Sequence, residues 1–230
     1  LRCLVGSEMC IRDRDEIIAD LDRVVMPGVA HWQHPGWYAF FPSGASPVSA
    51  LGEFVAAGLA TQGMMWSTAP AATEIENTVL DWLVDLLGLP PSWRLDEGPG
   101  GGVIQMSASD STHLSLAVAR HQFELTGADA NSLVAYGSSQ AHSSIEKGAR
   151  VAGFKHIRSV PVTQTFGIDA DAFAQIVRDD IDSGLIPAWV CSAVGTTNTT
   201  AMDPIRAIAA VAAENGCLLY TSDAADEWLR

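Results

Sequence analysis

The sequence has 230 residues, 48% hydrophobic and 17% charged, which is typical of a packed globular chain and excludes a disordered one. Acidic residues outnumber basic ones by 27 to 13, so the net charge of −14 disfavours binding to nucleic acid or to anionic membranes. No apolar run approaches the roughly 18 residues of a membrane span, and four cysteines without metal-ligand or paired spacing favour reduced thiols in a cytoplasmic protein.

The two ends of the chain differ in pattern from the body between them. Residues 1–14 show neither a helical nor a strand period, and residues 218–230 interrupt a strand pattern that has just begun. Both stretches resemble translated sequencing-adapter read-through. We therefore interpret them as flanks that are not native to the protein, and we expect the native part to be incomplete at both ends.

Residues 15–62 predict an N-terminal segment of two helices joined by an aromatic loop. Residues 15–26 carry an apolar helical stripe that ends at Pro27 and Gly28, and residues 47–62 form a second apolar helix. The loop between them holds His31 and His34. No third ligand follows at a suitable spacing, so a metal site is not expected there.

Residues 63–217 predict the partial large domain of an α/β protein. A helix over residues 73–87 is followed by strands that alternate with helices, which is typical of a mostly parallel sheet covered on both faces. The predicted strands are 103–105, 133–136, 156–161 and 188–194, and the predicted helices are 111–125, 143–151, 170–182 and 204–215. We therefore predict an incomplete α/β domain with a mostly parallel sheet flanked by helices.

The turn Ser107-Ala108-Ser109 lies between a predicted strand and a long predicted helix. Free backbone N–H groups and the positive end of the helix meet at such a turn, and two hydroxyls add further donors. This combination suits a phosphate, although serine is also a favoured N-cap without any ligand. A dinucleotide is disfavoured, because the glycines at 100–102 precede the strand instead of following it.

Two more polar clusters, Ala141-His142 and Gly195-Thr196-Thr197, also follow predicted strands. Ligands of parallel sheets gather at the carboxyl ends of the strands, so we expect one site built from all three clusters. Other interpretations stay open at this stage. His142 fits a buried histidine bonded to backbone, the threonines fit ordinary strand positions, and Cys191 fits the core better than a nucleophile.

Four motifs in order resemble the group II pyridoxal-phosphate-dependent amino-acid decarboxylases, the family of the aromatic-L-amino-acid, histidine, tyrosine and glutamate decarboxylases. They are HWQHP at 31–35 with FPS at 41–43, TEIE at 73–76 with DWL at 81–83, GGVIQ at 101–105 with SAS at 107–109, and QAHSS at 140–144 with GTT at 195–197. The resemblance spans about residues 15–217. It implies the fold of the pyridoxal-phosphate-dependent transferases, which is that of aspartate aminotransferase.

The resemblance implies pyridoxal 5′-phosphate as cofactor and an L-amino acid as the substrate that loses CO2. It also implies a homodimer for the intact protein. The implied catalytic residue is His142, which in the family stacks on the pyridine ring. The other implied site residues are Ser107, Ala108 and Ser109 for the phosphate, Thr197 for a hydrogen bond near the ring, and Ser43 for the substrate pocket.

The family's reaction also needs a lysine that forms a Schiff base with the cofactor and an aspartate that faces the pyridine nitrogen. Neither Lys147 nor Lys155 has the family's lysine context. Asp223 lies one residue too far from Gly216 and within the atypical end of the chain. We therefore expect the 230-residue chain to be inactive on its own.

Two other classes of function stay open. One is a different enzyme of the same cofactor fold, such as an aldolase, an aminotransferase or a carbon–sulfur lyase, against which the HWQHP motif at residues 31–35 argues. The other is a phosphate-binding module without catalytic activity.

Overall fold

The computed structural model describes residues 15–38, 44–96 and 100–222. The chain divides into two compact units, Leu1–Gly44 and Ala45–Arg230. In the first unit, residues 15–20 form helix α1, which continues as a π-helix over Leu21–Val25 and a 3-10 turn over Met26–Gly28. The helical stretch predicted for residues 15–26 is therefore confirmed, and it ends at the proline and glycine that the sequence indicates.

The second unit alternates helices and strands over most of its length. Its helices are α2 (Pro47–Leu59), α3 (Pro70–Leu87), α4 (Ala108–Leu125), α5 (Ser144–Val151), α6 (Ala170–Asp182) and α7 (Ile205–Glu214). Its strands are β1 (Leu133–Ser138), β2 (His156–Val160), β3 (Ile186–Ala193) and β4 (Leu218–Ser222).

The four strands form one sheet in the order β2-β1-β3-β4, and every neighbouring pair is parallel. The predicted parallel α/β sheet is therefore confirmed. The strand pattern that begins at residue 218 is also real, because β4 pairs with β3 from Leu218 to Ser222.

The strand predicted at residues 103–105 is wrong. The backbone there is irregular, and Val103 and Ile104 are each 56% exposed. The N–H of Ile104 donates to a side chain, the carboxylate of Glu76 at 2.9 Å, and not to a neighbouring strand. A run of three apolar residues cannot distinguish a strand from an extended loop, because periodicity needs a longer window.

The sheet has a hydrophobic core on each face. On one face, Leu133 of β1 and Trp189 of β3 pack with Leu116 of α4 and with α5. On the other, alternate strand residues such as Val134 pack with Phe173 of α6 and with α7. Successive residues of a strand point to opposite faces, so both faces of the sheet are covered, as the alternating pattern predicts.

Helices α2 and α3 contribute little to these cores. Helix α2 has no buried residue, and its Val48 and Phe54 are 79% and 76% exposed. Helix α3 buries only Val84. Across the part of the chain that the structure describes, no helix combines the length and the apolar character needed to cross a membrane.

Candidate functional site

The N-terminus of α4 lies at the carboxyl edge of the sheet. The indole N–H of Trp189 donates to Ser115 Oγ at 3.1 Å, and one turn earlier the hydroxyl of Thr112 lies 3.2 Å from that of Tyr220. Tyr220 pairs in register with Cys191, two residues beyond Trp189 toward the carboxyl end of β3. Helix α4 is therefore antiparallel to the strands, and its first turn lies at the edge where ligands of parallel sheets bind.

Ser107 is the N-cap of α4. Its backbone is extended, and its Oγ accepts the N–H of Asp110 at 3.2 Å, as the N-cap preference of serine predicts. The N–H groups of Ala108 and Ser109 donate to no other residue within the described ranges. These two donors and the positive end of the helix are available to an anion.

Asp110 modifies this anion site. Its carboxylate accepts the hydroxyl of Ser107 at 2.9 Å and sits in the first turn of α4, where the helix dipole favours negative charge. A bound phosphate would therefore compete with Asp110 for the Ser107 hydroxyl.

His142 lies in the loop between β1 and α5. Its Nδ1 accepts the backbone N–H of Ser144 at 3.2 Å and lies 2.9 Å from Ser144 Oγ. Because Nδ1 is the acceptor, the neutral ring carries its proton on Nε2. His142 is exposed, and its Nε2 makes no hydrogen bond to another described residue.

A depression opens at the carboxyl edge between these loops. It brings His142 and Thr197 together, whereas Ser107, Ala108 and Ser109 lie at the same edge but outside its lining. Ser43, which the resemblance implies for the substrate pocket, lies outside the described residues. The lining consists of Ala141, His142, Cys191, Ala193, Gly195, Thr196, Thr197 and Ser222.

The two threonines of this depression differ in what they bind. Thr196 is 3% exposed, and its Oγ1 accepts the N–H of Ala201 at 3.2 Å and lies 2.7 Å from Thr199 Oγ1. Thr197 is exposed, and its hydroxyl makes no hydrogen bond to another described residue. Thr196 therefore holds the loop together, while Thr197 is available to a ligand.

Cys191 contributes an uncharged wall to the depression. Burial is the main cause that raises the pKa of its thiol to about 12, and the nearby charge of Asp203 contributes in the same direction. A thiol with this pKa is a poor nucleophile at neutral pH, because only the thiolate reacts. Cys191 is therefore part of the core, as its apolar sequence context predicts.

Two buried carboxylates have roles that the sequence does not indicate. Asp203, directly before Pro204 and α7, has the sequence appearance of an N-cap. Asp180 lies among other acidic residues of α6 and has the appearance of a solvated position. Instead, Asp203 binds backbone N–H groups of Ala193 and Ile168, and Asp180 binds two side chains of the sheet. Only three-dimensional contacts reveal these roles.

Metal ligands and lysines do not gather at this edge. Over the described ranges, no three His, Cys, Asp or Glu side chains are grouped so as to hold a metal ion. In the first unit, His34 Nδ1 accepts the N–H of Gly36 at 3.0 Å. Lys147 and Lys155 are both exposed and do not line the depression.

Comparisons with known proteins give a consistent result. The profile of the pyridoxal-dependent decarboxylase conserved domain matches residues 7–226. Over 216 residues the chain is 39% identical to aromatic-L-amino-acid decarboxylase of Catharanthus roseus, which covers 91% of this chain and 43% of that protein. It is 38% identical to phenylacetaldehyde synthase of Arabidopsis thaliana, with 91% and 44% covered. The chain thus spans less than half the length of these relatives.

Solved structures resemble the chain to a similar degree. Tryptophan decarboxylase of Catharanthus roseus in complex with L-tryptophan superposes with a TM-score of 0.84 at 38% identity, covering 90% of this chain and 45% of that one. The 4-hydroxyphenylacetaldehyde synthase of Rhodiola rosea gives a TM-score of 0.85 at 35% identity, covering 95% and 47%.

Proposed function

The chain belongs to the pyridoxal-dependent decarboxylase family, and we propose that it forms part of the cofactor site of an enzyme that removes CO2 from an L-amino acid. One observation carries the proposal. The free N–H groups of Ala108 and Ser109 point from the first turn of α4 to the same sheet edge that holds His142 and Thr197. An anion site and an exposed aromatic ring at the same sheet edge suit the two ends of pyridoxal phosphate.

The residues present suit this cofactor chemically. The N–H groups of Ala108 and Ser109 would hold the phosphate at the N-terminus of α4, and the Ser107 hydroxyl, which now donates to Asp110, would be a further donor. The neutral thiol of Cys191 and the methyl group of Ala193 give the depression an uncharged side for an aromatic ring. The exposed imidazole of His142 offers a flat face for stacking.

The chemistry divides between cofactor and protein. Pyridoxal phosphate, when bound, supplies an electron sink that weakens the bond between the α-carbon and the carboxylate of an amino acid. His142 would hold the cofactor's aromatic ring by stacking, and it presents Nε2–H as a hydrogen-bond donor, since its Nδ1 accepts the N–H of Ser144. Thr197 provides a hydroxyl at the rim, and Thr196 keeps that rim in place.

The substrate proposed for the whole protein is an aromatic L-amino acid. Support comes from similarity to an aromatic-L-amino-acid decarboxylase and to a tryptophan decarboxylase solved with L-tryptophan. Ser43 remains our proposal for a substrate-pocket residue. The segment at residues 15–62 is proposed as the N-terminal part of the protein, and residues 63–217 as part of its large cofactor-binding domain.

A second reaction at the same site is favoured by a specific similarity. Phenylacetaldehyde synthase of Arabidopsis thaliana and 4-hydroxyphenylacetaldehyde synthase of Rhodiola rosea resemble the chain about as well as the decarboxylases do. Both reactions would use the same part of the cofactor site. The product distinguishes them, because a simple decarboxylase releases an amine, whereas formation of an aldehyde also releases ammonia and needs a two-electron oxidant such as dioxygen.

The protein encoded by the complete gene provides the test of this function. It is incubated with pyridoxal phosphate and, in separate reactions, L-tryptophan, L-tyrosine and L-glutamate, and CO2, amine and aldehyde are measured. The proposal predicts CO2 and amine from an aromatic amino acid, with little from glutamate. Aldehyde instead of amine supports the second reaction, and turnover without CO2 contradicts both.

We propose that the 230-residue chain alone is inactive, because its only lysines are Lys147 and Lys155 and neither reaches the depression. The chain is incubated with pyridoxal phosphate, reduced with borohydride and digested for mass spectrometry. The expected result is no stoichiometric adduct on either lysine. A stoichiometric adduct on one of them contradicts this proposal.

A homodimer and a cytoplasmic location complete the proposal. The exposed apolar side chains of α2, among them Val48 and Phe54, support an assembly in which a second copy covers them. The free thiols of Cys191 and Cys217 support a reducing compartment. Sedimentation of the protein from the complete gene tests the first point, and fractionation of the source cells tests the second.

A further inference from the structure

The carboxylate of Asp203 joins two segments that are distant in sequence. Its Oδ2 accepts the N–H of Ala193, the last residue of β3, at 2.6 Å, and its Oδ1 accepts the N–H of Ile168 at 2.8 Å. Its own N–H donates to the carbonyl of Ala193 at 2.9 Å. The side chain is 7% exposed, so a charged group is buried on backbone donors that replace water.

These contacts close a strained loop. The loop runs from Gly195 to Ala201 and carries both threonines of the depression. Thr200 has a φ of +54°, which is unfavourable for a β-branched residue, and Gly195 has a φ of +97°. Inside the loop the N–H groups of Gly195 and Thr196 both donate to the carbonyl of Ala201. Such a conformation persists only where its surroundings hold it.

A third contact limits movement of the same region. Gly167 lies so close to the chain that a Cβ there would stand 2.7 Å from the carbonyl oxygen of Met202, the neighbour of Asp203. Met202 in turn forms an antiparallel bridge with Val194. Met202 and Val194, which flank the loop, are therefore restrained by their contacts with each other and with Gly167.

An N-cap role does not account for the side chain of Asp203. Helix α7 begins at Ile205, and no side chain caps its first turn. The N–H of Ile205 donates to the backbone carbonyl of Asp203 and not to its carboxylate. The carboxylate is therefore available to β3 and to Ile168. The geometry of the carboxylate thus serves the loop and not the helix.

We propose that Asp203 is a positioning residue for the cofactor site: by fixing β3 to the 161–168 segment it holds the Gly195–Ala201 loop and keeps Thr197 at the rim of the depression. The inference rests on the proposed function for the identity of the ligand. The claim that Asp203 holds the Gly195–Ala201 loop is independent of that function, because the stability of the loop is measurable without ligand.

The test compares Asp203→Asn with Asp180→Asn in the 230-residue chain. Both substitutions replace a buried carboxylate by an amide of the same shape, but Asp180 binds Tyr136 and Arg158 and lies outside the lining of the depression. Amide hydrogen exchange is followed at Gly195 and Thr196 without ligand, and the Kd for pyridoxal phosphate is measured by fluorescence titration.

Asp203→Asn is expected to speed exchange at these two amides at least tenfold and to raise the Kd at least fivefold. Asp180→Asn is expected to leave the exchange rates and the Kd within twofold of wild type, even if it lowers the melting temperature as much as Asp203→Asn does. Unchanged exchange and Kd in a folded Asp203→Asn chain overturn the inference. If Asp203→Asn does not fold, Gly167→Ala, which displaces Met202, replaces it in the test. It is also expected to speed exchange at the two amides and to raise the Kd. If it changes neither, the inference is overturned.

The outcomes separate this inference from the proposed function. A wild-type chain without saturable binding of pyridoxal phosphate contradicts the function, while faster loop exchange in Asp203→Asn still supports the positioning role. Normal wild-type binding that Asp203→Asn does not weaken contradicts the positioning role alone.

Discussion

His142 accepts the backbone N–H of Ser144 through Nδ1 at 3.2 Å. This hydrogen bond places the proton of the neutral ring on Nε2 and holds the imidazole beside Thr197 at the carboxyl edge of the sheet. The ring is thereby oriented before any ligand binds, which reduces the side-chain ordering that binding requires.

The first prediction concerns the flat face of His142. His142→Ala removes it and is expected to weaken binding of pyridoxal phosphate by up to about tenfold, because aromatic stacking contributes up to about 1.5 kcal/mol. His142→Phe keeps a flat ring and is expected to stay within about threefold of wild type. Fluorescence titration measures the three affinities. His121→Ala, on an exposed part of α4, is the control, and equal losses in the Phe and Ala variants contradict the stacking role.

The second prediction concerns the N-cap of α4. Ser107→Ala is expected to lower the free energy of unfolding by about 1 kcal/mol, because the first turn loses its cap. It is also expected to reduce the preference of the chain for pyridoxal 5′-phosphate over pyridoxal. Ser46→Ala removes the N-cap of α2, where Ser46 Oγ accepts the N–H of Ser49, and serves as the matched control. The phosphate role of Ser107 is wrong if both variants keep the same preference.

The third prediction concerns the ion pair between Arg158, whose side chain is 35% exposed, and the buried Asp180. Asp180 is 5% exposed and also accepts the hydroxyl of Tyr136 at 3.0 Å. Arg158→Met leaves this carboxylate without its cation and is expected to lower the free energy of unfolding by about 3 kcal/mol. Urea unfolding measures the change. The control Arg150→Met removes an exposed partner of Glu146 and is expected to change it by less than about 0.5 kcal/mol; equal effects would contradict the prediction.

The fourth prediction concerns alkaline pH. Burial raises the pKa of Cys191 and of Cys217 from 9.0 to about 12. Above pH 9 the unfolded thiols lose protons that the folded ones retain, so the free energy of unfolding falls as pH rises. Each thiol contributes about 1.4 kcal/mol per pH unit until about pH 12. Tyr136 adds to the loss above pH 10, because burial and the charge of Asp180 raise its pKa as well.

Urea unfolding between pH 8 and pH 10.5 checks this dependence. Cys217→Ala is expected to reduce the slope by the share of one thiol, whatever its effect on stability at pH 8. A slope that the substitution leaves unchanged contradicts burial of a protonated Cys217.

The fold was predictable where the periodic patterns were long. Helix α6 was predicted with its observed bounds, because an apolar stripe and the N-cap Asp169 mark it clearly. The strand predicted at residues 103–105 was wrong, because a run of three apolar residues is too short to show a period. The N-cap at Ser107 was predictable from local chemistry alone, since a cap acts over three residues.

The arrangement of the candidate site was predictable only in part, because some of its contacts join distant segments. Ser107, His142 and Thr197 each follow a local pattern and reach the same sheet edge. The role of Asp203 depends on Ile168, which is 35 residues away, and nothing in the sequence links the two. Long-range hydrogen bonds of this kind leave no periodic pattern in a single sequence.

The central claim is that the edge formed by the N-terminus of α4, His142 and Thr197 binds pyridoxal phosphate. The most direct measurement is a titration of the 230-residue chain, labelled with 15N and 13C, by NMR. We predict saturable shifts at the His142 ring and at the amides of Ser109 and Thr197, with His121 and His156 unchanged, and weaker shifts with pyridoxal. Saturable binding that leaves His142 and Ser109 unshifted, or no binding at all, contradicts the account.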